Sequence, residues 1–165
     1  LGIGVEELNL VTLYFKTGQT EKQLAQILQK EWKEIFGLTI RVEQSDPQAH
    51  LARLHQKDYE IALSSWIAQF HDPVSILDRF QFRANAKNIP AWENAQYQAL
   101  LDSAASTADL TTRNEALKKA EDLLAKEIPL VPIYHLSGLS ISHPRVEGLI
   151  TTPSGGILFE KCSLN

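Results

Sequence analysis

The amino-acid sequence predicts an α/β fold with a βαβ unit and a mixed sheet flanked by helices. Three observations carry that expectation. An apolar, β-forming run at 8–15, a run of helical period at 20–36 and an alternating run at 38–43 follow one another directly. A second apolar run at 59–66 leads into an aromatic, polar turn. The later half holds two more runs of helical period, at 93–105 and 109–126. A chain of 165 residues, 44% hydrophobic and 22% charged, suits one globular domain spanning 1–165.

Lys16, Thr17 and Gly18 are expected to end the first strand, and Thr20 to open the helix with Gln23 at the capping-box position. Leu24, Ile27, Leu28, Trp32, Ile35 and Phe36 recur at helical spacing and predict its apolar face. Gly37 is placed to end it in a left-handed conformation. The strand at 38–43 then completes a βαβ unit, whose strands should be parallel. Asp46 and Pro47 predict the cap and first position of a helix at 46–56 that buries Leu51 and Leu54.

The third strand is expected at 59–66, and a short helix carrying Ile76, Leu77 and Phe80 at 75–82. Residues 83–92 read as loop. Tyr97, Leu100 and Leu101 should face inward from the helix at 93–105. Ala116, Leu117, Ala120, Leu123 and Leu124 should do so from the helix capped by Asp109, which Pro129 stops. Strand character returns at 130–136, with an edge or bulge at Pro132 and a possible extension at 138–142. It recurs weakly at 146–150 and as an apolar run at 157–159, with Gly155 and Gly156 forming a turn.

The net charge of −4 argues against a general nucleic-acid binder. No apolar run approaches the roughly 20 residues a membrane-spanning helix needs. The single cysteine, Cys162, excludes an internal disulfide and reads as a small buried hydrophobe. The chain has no methionine, so it reads as a fragment or processed piece of a longer protein.

Catalytic signatures are weak, and no enzyme is expected. His71, Asp72 and Ser75 are close in sequence, but a triad is defined by spatial roles, and Asp72-Pro73 reads as a helix start with Asp72 capping. His50 and His55, five apart, do not share a helix face as a zinc pair would, and read as solvated surface residues. His135 lies in an expected strand and His143 in a loop. No cysteine cluster or phosphate-binding glycine loop is present, Gly2 and Gly4 preceding the first strand. No metal and no cofactor are expected.

The run from Lys57 to Pro73 is the most informative. Ile61, Ala62 and Leu63 suit a buried strand, while Ser64, Ser65, Trp66 and Gln69 place hydroxyls, a ring and an amide at its C-terminal end. Ligands bind near such ends in open α/β layers. On the residues alone, core packing is the favoured reading of Trp66.

The segment resembles the Trp-x-Ala-Asp-Tyr-x-Asp-Pro region of extracytoplasmic peptide- and nickel-type solute-binding proteins of bacterial ABC importers (family 5). The resemblance extends in order along the chain, through Gln29 to Lys33, Gly37 to Ile40, Asp58 to Ala62, Trp66 to Ala68, Asp72-Pro73, Asn94 with Tyr97, Leu100 to Asp102, Arg113, Ala120-Glu121, and Ile128 to Tyr134. It implies a periplasmic-binding-protein-like lobe, the C-terminal portion of a larger two-lobed protein. It implies an oligopeptide or other small solute bound in an interlobe cleft, ABC permease subunits as partners, a monomer, and a periplasmic or membrane-anchored extracytoplasmic location. A ligand-sensing domain of a transcription regulator with the same fold is the alternative.

The resemblance reverses the reading of Trp66, and makes Ser65, Trp66, Ile67, Gln69 and Phe70 the expected ligand-binding residues. In oligopeptide binders of this family an Asp pairs with the ligand's α-ammonium group. Gln69 stands there in this chain, and Phe70 where Tyr is common. Gln brings no charge, which weighs against recognition of a free amino terminus.

Overall fold

Leu13 and Phe15 share one face of the sheet they build, and Tyr14 between them points to the other. The computed structural model of the chain describes residue 8 and residues 10–136, 138–152 and 155–165. Gly2, Gly4 and Pro153 lie outside the described residues. The chain gathers into two compact units, Leu1–Ser65 and Trp66–Asn165, where the sequence reading treats 1–165 as one domain. Each unit is described by itself.

The first unit holds β1 (Thr12–Lys16), α1 (Gln19–Phe36), β2 (Arg41–Ser45), α2 (Pro47–Gln56) and β3 (Ile61–Ala62). Its sheet has the order β2-β1-β3, and both pairings are parallel, as the βαβ pattern predicts. All three strands differ from their expected extents. β1 starts at Thr12 and includes Lys16, and β2 starts only at Arg41, whose N–H donates to Val11 O. The apolar residues that flag a strand feed the core, but the ladder is set by pairing partners. Ile40 is buried just before β2 begins.

Leu13, Phe15, Ala25 and Ile40 form the core, with Leu28, Trp32, Leu38, Ile61 and Leu63 packed against it. The buried stripe of α1 is therefore centred on Ala25, Leu28 and Trp32. Ile27, Ile35 and Phe36 are more than half exposed, against expectation, because the three-stranded sheet covers only part of the helix's apolar arc. The helix starts at Gln19 after Gly18, so Thr20 and Gln23 form no capping box. Its C-terminus matches the sequence reading: Gly37 adopts φ 70° and its N–H donates to Lys33 O.

Asp46 caps α2 by accepting from Gln48 and Ala49 N–H, each at 3.0 Å. Leu54 is buried as expected, whereas Leu51 is exposed. His50 corrects the surface reading. It is 4% exposed, and its Nε2 donates to Leu63 O at 2.9 Å. The opposite strand face is covered at Tyr14, where the Arg53 guanidinium lies 4.0 Å over the ring.

The second unit holds α3 (Val74–Leu77), a 3₁₀ turn (Asp78–Phe80), α4 (Ala95–Ser106), α5 (Leu110–Glu127) and four two-residue strands. These are β4 (Val146–Glu147), β5 (Ile150–Thr151), β6 (Ile157–Leu158) and β7 (Ser163–Leu164). They pair antiparallel as β4–β7 and β5–β6. The helix expected at 75–82 is thus split into α3 and the turn. Asn94 and Asp109 cap α4 and α5 through their side chains. Leu77, Phe80, Tyr97, Leu101, Ala104, Ala116, Leu117, Ala120 and Leu124 make one core.

Residues 131–136 form no strand among the described residues, against expectation, nor do the described residues of 138–142. Val131, Ile133, Tyr134, Leu136, Leu139 and Ile141 are exposed there. β propensity without a partner strand does not make a ladder. Cys162 is half-exposed rather than buried.

Tyr97 anchors the core of the second unit. It is fully buried, its hydroxyl donates to Leu77 O at 2.7 Å, and burial, followed by the charge of Asp78, raises its phenol well above the ordinary value. Tyr97→Phe keeps the ring and leaves the Leu77 carbonyl without this donor. We expect a loss of about 1–3 kcal/mol in urea denaturation, the cost of an unsatisfied buried acceptor. An unchanged midpoint would mean that the hydroxyl contributes nothing.

Candidate functional site

Strand pairing ends early on β3. Leu13 and Tyr14 face Ile61 and Ala62, and Leu63 N–H then donates to Tyr14 O at 2.8 Å. Residues 64–68 belong to no helix, strand or turn, so Trp66 lies beyond the strand that the sequence reading extends to 66. The expected ligand-binding residues thus fall on an irregular segment that follows Leu63, whose N–H pairs with the sheet and whose carbonyl is held by His50 of α2.

Ser64 and Ser65 are exposed, and Ser65 closes the first unit. Trp66 opens the second and is half-buried. Its ring meets Phe80 edge-on, with centroids 5.6 Å apart and planes at 70°. One side of the ring therefore serves the core, consistent with both readings of this residue. Ile67 is 66% exposed and Phe70 50%, both large apolar side chains left in water. The Gln69 side chain is exposed too.

The far end of the segment is tied down by residues the sequence reading gave no binding role. Gln69 N–H donates to Ser75 Oγ at 2.8 Å, and Ser75 is buried. Asp72 accepts from Val74 N–H at 2.9 Å, the helix-start role expected of it. Arg113 Nη2 reaches both Asp72 oxygens at 2.9 Å. Asp72 and Ser75 are thus engaged elsewhere than with His71, which is exposed, and no catalytic triad forms. Nothing in local sequence signals the Arg113 partnership, which spans 41 positions.

His55, His135 and His143 are exposed. Among the described residues, no group of three or more His, Cys, Asp or Glu side chains could hold a metal ion. An open hollow of about 410 Å³ lies along β1 and β2, lined by residues such as Thr12, Gln29 and Glu43. None of its lining residues belongs to 64–70.

Residues 1–88 match the family described as bacterial extracellular solute-binding proteins, family 5 Middle. The chain belongs to that family. Relatives of this solute-binding family agree. The oligopeptide-binding protein OppA of Bacillus subtilis is 29% identical over 153 residues, 93% of this chain and 28% of the relative. The probable deoxycholate-binding periplasmic protein YgiS of Escherichia coli is 29% identical over 136 residues, 82% of this chain and 25% of the relative. The solved pheromone receptor PrgZ superposes with a TM-score of 0.81 at 25% identity, covering 99% of this chain and 31% of the receptor. Haemophilus influenzae OppA, solved with the peptide RPPGFSPFR, gives 0.80 at 19% identity, covering 89% and 29%. The fold is that of the periplasmic binding proteins, and the chain spans between a quarter and a third of these relatives' length.

The Asp72–Arg113 pair generates a pH prediction. The Arg113 hydrogen bond, helped by Val74 N–H and opposed by desolvation, holds the Asp72 carboxyl below its ordinary value of 3.8. A carboxyl depressed in the folded state adds stability above the ordinary value and loses it as pH falls through the folded one. We expect Asp72→Asn to be less stable than the wild type at pH 6, and the gap to close as pH falls below 3.8. Urea melts across that range check this. A gap of equal size at pH 6 and pH 2 would contradict it.

Proposed function

We propose that this chain is the C-terminal lobe portion of a two-lobed solute-binding protein that captures peptides or a related small solute in an interlobe cleft. The complete protein would hand that solute to the permease of an ABC importer on the extracytoplasmic side. In this reading Ser65, Trp66, Ile67, Gln69 and Phe70 face the ligand. The observation that carries it is the unpaired segment beyond Leu63, which holds large exposed apolar side chains where a core-facing strand would bury them.

The physics of the segment suits a ligand with a peptide backbone. Outside any ladder, backbone groups of residues 64–68 can pair with main-chain amides, a mode that tolerates many side chains, while Gln69 N–H and Phe70 O are already bonded. Trp66, Ile67 and Phe70 supply apolar area that a bound solute would remove from water. Relatives named for oligopeptides and dipeptides support the peptide reading. No helix among the described residues is long and apolar enough to cross a membrane.

Ile67 and Phe70 offer the cleanest test because they are exposed, and exposed substitutions usually change stability by only about 0.5 kcal/mol. We expect the double variant Ile67→Ala, Phe70→Ala of the full-length protein to melt like the wild type. It should bind tetra-alanine about tenfold more weakly by calorimetry, the equivalent of about 1.4 kcal/mol. Undiminished affinity in the folded double variant would refute the assignment of the segment.

A further inference from the structure

The third strand stops one rung short of where its register could carry it. Ile61 and Ala62 pair with Leu13 and Tyr14, and Leu63 N–H donates to Tyr14 O at 2.8 Å. In a parallel ladder a residue points its N–H and its C=O at the same neighbour. Continued by one rung, this register would offer Leu63 O to Lys16 N–H, inside β1. That carbonyl is taken by His50 Nε2 at 2.9 Å, from the second turn of α2. The imidazole stands where the next rung of the ladder would form, and residues 64–68 leave without joining the sheet.

The chemistry of the ring fixes its state. A carbonyl oxygen only accepts, so Nε2 carries the proton and Nδ1 is left as a lone pair. Nδ1 is buried with no hydrogen-bond partner among the described residues. His50 is 4% exposed, beside the buried Leu54 of the same helix. An apolar side chain would fill this place without orphaning a nitrogen, whose burial is unfavourable. The bond to Leu63 O is what the imidazole adds over such a side chain. Its own helix is anchored by the Asp46 cap and by Arg53, which meets Glu43 and covers the Tyr14 ring.

We infer that His50 is a positioning residue of the ligand site: it ends the third strand at Leu63 and sets the direction in which Ser64 and Ser65 leave the sheet. This inference rests on the reading of residues 65–70 as ligand-facing. His50 itself touches no solute. It lowers the ordering cost of binding by holding the segment's first peptide plane in place before the solute arrives.

The test uses the full-length protein, with tetra-alanine titrated by calorimetry and folding followed by urea melts. His50→Leu and His50→Phe remove the donor and the orphaned nitrogen together. His50→Gln keeps an N–H at the place of Nε2. We expect the folded donor-free variants to bind about tenfold more weakly, the scale of one buried carbonyl left without its donor. His50→Gln should recover most of that loss. In the Ile67→Ala, Phe70→Ala background, His50→Leu should cost only about threefold or less, because the contacts it positions are gone and coupled sites are not additive. A residue that served stability alone would give no rescue pattern in affinity and no such coupling. Wild-type affinity in either folded donor-free variant, no rescue by Gln, or a full tenfold loss in the double-alanine background would overturn the inference and leave the peptide-binding reading intact. Failure of both donor-free variants to fold would assign the imidazole to stability and overturn it too. Failure of the wild type to bind tetra-alanine would overturn the peptide reading, and the inference with it.

Discussion

The bond from Leu63 N–H to Tyr14 O is the last rung between the third strand and the sheet, and His50 holds the carbonyl of the same residue from α2. Whatever the candidate segment does depends on this fastening. A fully buried Leu13 and the central position of β1 make the rung rigid, because β1 is paired along both edges. Beyond it the backbone leaves the ladder. The next ties are Gln69 N–H to Ser75 Oγ and Asp72 to Arg113.

Charge is distributed with the same economy. Asp72 is spent on Arg113 and on the start of α3, so it fixes structure and is not free for a ligand. Gln69, three residues earlier, is neutral. The Arg79 guanidinium carbon lies 5.9 Å from the centroid of the Trp66 ring. The proposed role of the segment rests on the family resemblance of its residues.

Much of the fold was legible because its signals are local. Gly37 ends its helix, and Asp46 and Asp109 begin theirs, as their local chemistry dictates. The spacing of Ala116, Leu117, Ala120 and Leu124 marked the buried face of α5. The failures concern partners distant in sequence. His50 looked like a surface residue because its acceptor, Leu63 O, lies 13 positions away. Ile27 and Ile35 fit a helical stripe, yet the small sheet does not reach them. Residues 131–136 have strand character and pair with no strand among the described residues. The irregular course of the chain beyond Leu63 was not legible either, because the strand reading to Trp66 follows side-chain character and the ladder ends where pairing with β1 ends.

The central proposal is that Ser65, Trp66, Ile67, Gln69 and Phe70 face the ligand. Amide hydrogen exchange on the full-length protein, with and without saturating tetra-alanine, tests it most directly. The account predicts slowed exchange concentrated at 64–70, with the amides of α5 unchanged because the core already protects them. Slowing confined to other parts of the chain, with 64–70 exchanging at the same rate in both states, would contradict it.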